Sequence, residues 1–246
     1  MRTRTILAIA AVVLVCGGIP GAQETVKPAP ADAKKKGPET VAGRADFMKS
    51  VWGNEKTVLM RGNVKFTHGD TVLTCDEVQY DQTARIAVSP GRIVITDPEC
   101  DITGDKGTAY FKKRIGVIEG NVTMLVKPKK AEEEPADKNS VRAKLKQPTT
   151  VTCEKLEYNY RTKIASATGG VSLKQEKRSA TAQKLIYDEK NEIITLIGDV
   201  KGIDEDGQTF SAPDKVVISV KKGAEWMEAP NASATFKVET EEETPE

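Results

Sequence analysis

Between residues 55 and 238, apolar and polar positions alternate with a period of two in short segments such as VLTCDEVQY, GRIVIT, GVIEGNVTMLV, VTCEKLEY and EIITLIGDV, separated by turn residues. Alternation of this kind, in segments rich in Val, Ile and Thr, predicts β-strands with one apolar and one polar face. No stretch of the region keeps a helical apolar period, so the expected fold class is all-β.

The strands carry a repeat. Gly62, Gly91, Gly120, Gly170 and Gly198 each head a strand, followed by Asn63-Val64, Arg92-Ile93, Asn121-Val122, Val171 and Asp199-Val200. The spacings are 29, 29, 50 and 28 residues, and removing the segment 127–148 (22 residues) reduces the long one to 50 − 22 = 28. A second phrase keeps step with the first. It begins at Thr74, Thr103, Thr152, Thr181 and Ser211, and a small residue follows each time (Cys75, Gly104, Cys153, Ala182, Ala212). After polar residues it ends on an apolar residue and, in most copies, a tyrosine such as Tyr80, Tyr158 or Tyr187. Repetition of a two-strand unit predicts an elongated, solenoid-like stack in which each unit buries its apolar face only against its neighbours. The recurrent glycine predicts a sharp corner where φ is positive or backbones approach closely, and the Asn or Asp after it suits the same turn. The three tyrosines, in register, are expected at the corner or the rim.

Paired phrases of the form G-N-V and T/S-small-x-x-apolar-x-Y-D, repeated along an all-β chain, resemble the OstA-like domain of periplasmic lipopolysaccharide-transport proteins, across about residues 55–238. The soluble, LptA-like bridge members are the nearest resemblance, with the membrane-anchored LptC-like members second. The resemblance implies a twisted β-jelly roll, open along one side, whose interior holds acyl chains. It also implies stacking end to end between inner- and outer-membrane Lpt-type proteins, with lipopolysaccharide or a related glycolipid as cargo. Strand alternation then nominates Val64, Phe66, Ile93, Ile95, Val122, Met124, Val171, Leu173 and Val200 as groove-lining residues. A structural β-solenoid scaffold is the alternative of another class; a packed interior favours it and an open apolar trough favours the carrier.

Composition changes this picture at the ends. Arg2 and Arg4 precede an apolar run, Ile6 to Val15, which is followed by Gly17, Gly18, Pro20, Gly21 and Ala22. Such a run, shorter than the roughly 20 residues a spanning helix needs, predicts a cleavable export signal at 1–22 and a periplasmic protein, with an uncleaved anchor as the alternative. Residues 23–54 are expected to be a disordered linker, 127–148 an exposed loop insertion and 239–246 an acidic tail. The chain has 37 Lys+Arg against 36 Asp+Glu, interspersed, which gives no electrostatic footprint for nucleic acid. Past the signal, Cys75, Cys100 and Cys153 form no C-x-x-C pair and are expected to act as small buried hydrophobes. The single histidine, His68, lies in the turn-like FTHGDT, so no Ser-His-Asp set can form; no enzyme activity, cofactor or metal is expected. Asp101 and Asp105, the carboxylate pair most suggestive of calcium or acid/base work, fall in ordinary turns. Head-to-tail self-association is expected through the strands near Thr57–Phe66 and Ala232–Val238, because unpaired edges template pairing.

Overall fold

The computed structural model describes residues 41–127, 147–221 and 223–235. The expected signal at 1–22, residues 23–40 of the expected linker, positions 128–146 of the insertion and the tail at 239–246 lie outside them. The chain forms β1 (Ala42–Arg44), β2 (Phe47–Val51), β3 (Thr57–His68), β4 (Thr71–Asp81), β5 (Ile86–Ser89), β6 (Ile93–Thr96), β7 (Cys100–Gly104), β8 (Lys106–Tyr110) and β9 (Ile115–Val126). It continues with β10 (Thr149–Asn159), β11 (Ile164–Gln175), β12 (Arg178–Asp188), β13 (Ile193–Ile197), β14 (Val200–Ile203), β15 (Thr209–Ala212), β16 (Lys215–Ser219), β17 (Trp226–Glu228) and β18 (Ser233–Ala234). The fold is all-β: these strands form one antiparallel sheet, mostly between sequence neighbours.

That sheet is folded along a line of corners. The long strands β3, β9 and β11 each break register in the middle, at Gly62-Asn63, Gly120-Asn121 and Gly169-Gly170; β13 and β14 are two halves of one such strand, parted at Gly198-Asp199. All eight corner residues have positive φ, from 45° at Asn121 and Asp199 to 84° at Gly169. Two left-handed residues opposing one on the neighbouring strand make a β-bulge that bends the strand. Asn and Asp tolerate this region best among residues with a Cβ, so Gly-Asn or Gly-Asp is the natural spelling. The corner is tied to its neighbour. Asn63 Nδ2 donates to Asp46 Oδ2 at 2.8 Å, Asn121 Nδ2 to Asp105 Oδ2 at 2.7 Å, and Gln183 Nε2 to Asp199 Oδ2 at 3.1 Å. Gly91 is a different case. It lies in the break between β5 and β6 without positive φ and with open space around it, so the five-glycine corner rule holds at only four positions.

Each half-strand belongs to one of two layers. The first layer runs β2, the start of β3, the end of β4, β5, β8, the start of β9, the end of β10, the start of β11, the end of β12, β13, β16 and β17. The second runs β1, the other halves of those long strands with β6, β7, β14 and β15 between them, and β18. At the free tips of the first layer the hairpins share one design. Asp81, Asn159 and Asp188, the residues after the repeated tyrosines, each accept two backbone N–H bonds through Oδ1, at 2.8 to 3.1 Å. Backbone bonds then join successive tips: Gln82 N to Lys56 O, Phe111 N to Arg85 O, Tyr160 N to Arg114 O and Glu189 N to Lys163 O, at 2.8 to 3.1 Å.

Part of the expected linker is structured. Residues 42–51 form β1 and β2, both paired with β3, so β3 is an interior strand and the N-terminal edge is β1 and β2. The linker-like composition before Lys49 hid two short strands that have little core of their own and are held by β3's ladder. At the other end the edge strands are β17 and β18, and Thr235 N donates inward to Thr209 O at 2.9 Å. The insertion joins two residues that face each other, Val126 and Thr149. Replacing 128–146 with a short turn is therefore expected to shift stability by less than about 1 kcal/mol, since closure entropy grows slowly with loop length. Lys127 is kept because its Nζ donates to Asp97 O and Asp101 Oδ1. Urea unfolding measures the shift, and a loss of several kcal/mol would mean the insertion carries part of the core.

Candidate functional site

The apolar faces of the two layers meet in an interlayer cleft. The nominated lining residues Val64, Phe66, Ile93, Ile95, Val122, Val171 and Val200 are all buried there, while Met124 and Leu173 are half-buried and pack against the same cluster. They share one face because the pleat sends alternate side chains to the same side. The layers interlock near the corner through missing side chains. A Cβ on Gly107 would stand 2.7 Å from Ile93 Cδ1, and one on Gly104 would collide with Ile118 Cγ2, so each layer receives the other's isoleucine over a glycine. Among Phe66, Leu73, Tyr80, Ala87, Ile95 and Ala109 the packing leaves a cavity of about 60 Å³.

Nearer the tips, one inward row crosses the first layer as Val58, Tyr80, Ala87, Ala109, Gly116, Tyr158, Ala165, Tyr187 and Ile194. Large rings alternate with small residues, and that is where the recurrent tyrosines go. Tyr80 and Tyr158 are buried inside the cleft, not at the corner, because Ala and Gly beside them leave room for a ring. Tyr80 packs edge-on against Phe111 with centroids 5.4 Å apart, and Tyr158 lies 5.8 Å from Tyr160. Phe111 and Tyr160 come from the hairpin tips and fold over the cleft.

Sequence reasoning missed Glu189, a carboxylate buried at the next tip, which accepts the Tyr158 hydroxyl at 2.8 Å. Its signal was present: Gln82, Phe111, Tyr160 and Glu189 occupy the same place in successive hairpins, the one that turns inward. Burial, the Glu189 hydrogen bond and its charge all push the Tyr158 phenol far above its ordinary range. Burial alone raises Tyr160 to about 12, and burial with neighbouring carboxylates, Glu189 first, does the same for Tyr187.

Packing is uneven along the cleft. From β3 to β11 the interior forms one large buried cluster. From β12 to β16 the fully buried hydrophobic residues are Ala182, Leu196, Val200, Ala212 and Val216, with Leu185, Ile194, Phe210 and Ile218 half-covered around them. The interior is thus tightly closed over its first part and more open toward β16. At the edges, Met48 lies across from buried Met60 and Met227 across from Ile218, both on the inner face and more than half exposed.

The remaining candidates have structural roles. Cys75, Cys100 and Cys153 are free thiols in the interior, each raised by burial, Cys100 to about 12. Asp101 pairs with Lys127 at 2.6 Å and Asp105 serves the Asn121 corner. Among the described residues no group of three or more His, Cys, Asp or Glu could hold a metal. His68 closes β3 before the two-residue turn at Gly69-Asp70.

Residues 44–224 match the family model described as LptA/(LptD N-terminal domain) LPS transport protein. None of the curated proteins matches the chain. Among solved structures the chain resembles LptH, the LptA-homologous periplasmic component of the lipopolysaccharide transport device of Pseudomonas aeruginosa. The identity is 14%, over 81% of this chain and 96% of that one, with a TM-score of 0.31. With the model covering most of the chain, from the β1 edge to the turn before β17, the protein belongs to the LptA/LptD N-terminal domain family of lipopolysaccharide-transport proteins.

Proposed function

We propose that this protein is a periplasmic, non-enzymatic lipid carrier of the bridge type, which holds the acyl chains of lipopolysaccharide between its two layers and hands them from an inner-membrane to an outer-membrane Lpt-type partner. The observation that carries the reading is the interlayer face. It is apolar across the sheet, half-open from β12 to β16, and ends at each edge in an exposed methionine on the inner side. Burying acyl methylenes contributes about 0.8 kcal/mol each, so such a face retains a lipid without cofactor or catalysis. Met48 and Met227 suit a mouth, because a flexible thioether adapts to a moving chain. The test is photo-crosslinking in cells from Phe66, in the closed part, and Leu185, in the open part. Lipopolysaccharide adducts are expected at both and more heavily at Leu185; adducts at neither position favour a packed scaffold. Recovery of the protein only in the inner membrane with its N-terminus intact would turn the assignment to the anchored, LptC-like role.

Strand count supports end-to-end contact. Among the described residues each layer holds twelve alternating strands, so β17 runs opposite to β2, and β18 opposite to β1. A second copy, or another domain of this fold, placed by simple translation meets both edges antiparallel and continues both layers, an open-ended heterologous contact. Phe47, Met48 and Trp52 at one edge and Trp226 and Met227 at the other are exposed. Because Thr235 N is already engaged inward, the proline that blocks only the outer ladder belongs at Ala234. Sedimentation is expected to show concentration-dependent association that Ala234→Pro weakens; a monomer at every concentration removes self-association from the reading.

A further inference from the structure

The tips of the first layer carry a feature that the apolar cleft does not explain. The carbonyls that lock each hairpin to the next belong to Lys56, Arg85, Arg114 and Lys163, four cations at equivalent positions of successive tips. Lys112, Lys113 and Arg161 sit in the same turns, and the only carboxylates there are Glu55 and Asp81. Over 52–56, 81–85, 111–114 and 160–163 the charge is +7 − 2 = +5. Asp81 is turned inward onto the backbone N–H groups of Thr83 and Ala84. The next tip reverses sign, with Asp188, Glu189 and Glu192 against Lys190, so the basic stretch is bounded. At the other ends of the same strands, the described turns 69–70, 97–99, 176–177 and 204–208 hold Asp70, Asp97, Glu99, Glu176, Asp204, Glu205 and Asp206 against one cation, Lys177.

Two further observations point outward from these cations to a ligand. Arg85, Arg114 and Lys163 have φ of 57°, 57° and 64°, as Glu192 has 55° at the same place of the acidic tip, a conformation that favours Gly or Asn and costs another residue roughly 1–2 kcal/mol. The chain thus keeps a long cationic side chain three times where the backbone alone favours a different residue. None of the three joins an ion pair among the described residues. The Lys163 ammonium instead lies 5.9 Å from the ring of Tyr158, which faces the cleft interior, so its charge stands over the entrance to the apolar interior. Neighbouring tips are two strands apart, about 10 Å at ordinary strand spacing.

We propose that this basic lip, centred on Arg85, Arg114 and Lys163, binds the phosphate groups of the acylated glycolipid whose chains enter the cleft, and so sets the headgroup on one lip and away from the acidic one. The inference rests on the carrier function and adds to it a recognition site for anionic headgroups. Phosphate oxygens accept from guanidinium and ammonium donors with charge assistance. At an exposed lip each contact is modest, and three together are worth about tenfold in affinity.

The experiment compares the full chain with the triple variant Arg85→Asn, Arg114→Asn and Lys163→Asn, asparagine being chosen because it tolerates the left-handed backbone. Binding is measured to diphosphoryl lipid A and to the same lipid A freed of its phosphates. The variant is expected to lose about tenfold affinity for the phosphorylated lipid, to keep its affinity for the dephosphorylated one, and to show a weaker salt dependence. A variant exchanging Arg for Lys and Lys for Arg at the three positions is expected to bind like the parent. Should the Asn variant unfold, Lys112→Gln/Lys113→Gln/Arg161→Gln reports on the same lip with ordinary turn residues. Equal loss for both lipids, or no loss for either, overturns the lip. If the parent chain binds neither lipid, the carrier function itself falls.

Discussion

Replacing Gly120 by valine is expected to lower the melting temperature by about 10 °C, while replacing Gly91 by alanine leaves it nearly unchanged. At Gly120 φ is +78°, and a Cβ would stand 2.6 Å from Asp105 Oδ2 and 2.9 Å from Asp105 Cβ. Left-handed strain costs roughly 1–2 kcal/mol and forcing Asp105 aside roughly 1–3 more. The Asp105 backbone cannot yield easily, because its N–H is shared between Glu119 O and Gly120 O, both at 3.0 Å. Moving its carboxylate also strands Asn121 Nδ2. A loss of about 3 kcal/mol converts to several degrees per kcal/mol, less in a domain of this size than in a small one. Gly91 has no atom within 4 Å of its missing Cβ and no positive φ, so its alanine variant stays within about 0.5 kcal/mol. Thermal unfolding followed by circular dichroism reads both; equal shifts would show that the corner is not what holds the layers at their angle.

Stability is expected to fall steeply between pH 10 and pH 12. The neutral phenol is the form the cleft favours at Tyr158, Tyr160 and Tyr187, the latter two with folded values of about 12. In the unfolded chain a tyrosine titrates near about 10. The stability from these raised values is therefore complete below about pH 10 and is lost as pH climbs toward the folded values, at up to about 1.4 kcal/mol per pH unit for each tyrosine. Urea midpoints at pH 9 and pH 11 measure the loss. Tyr160→Phe with Tyr187→Phe is expected to flatten the fall, which separates it from lysine titration in the same range. Tyr158→Phe is a different case: it leaves the buried Glu189 without its hydroxyl donor and costs about 1–3 kcal/mol already at neutral pH. Midpoints unchanged from pH 9 to pH 11 would mean that the three rings meet water in the folded state.

Local chemistry made much of the fold legible. Period-two alternation placed Val64, Ile95, Val122 and Val171 on the inner face, where all four are buried. Gly-Asn-Val is recognisable as a corner because two adjacent left-handed residues admit few side chains. Cys75, Cys153 and Ala182 share a slot that the sequence marks as small, and all three are buried.

What the chain could not announce depends on neighbours distant in sequence. β1 and β2 read as linker because their pairing partner, β3, supplies most of what orders them. The tyrosines looked like rim residues until the register set Tyr158 between Gly116 and Ala165 and gave the ring a place inside. Glu189 was one more charge in a turn until the Tyr158 hydroxyl reached it. Lys56, Arg85, Arg114 and Lys163 are ordinary surface cations scattered over 108 positions (163 − 56 + 1) until the hairpin ladder lines them up along one lip. Periodicity and turn chemistry are properties of a few adjacent residues, so the sequence by itself determined strands, corners and the apolar face. Register, layer closure and the alignment of charges are set by contacts between distant residues, and only the tertiary structure decided them.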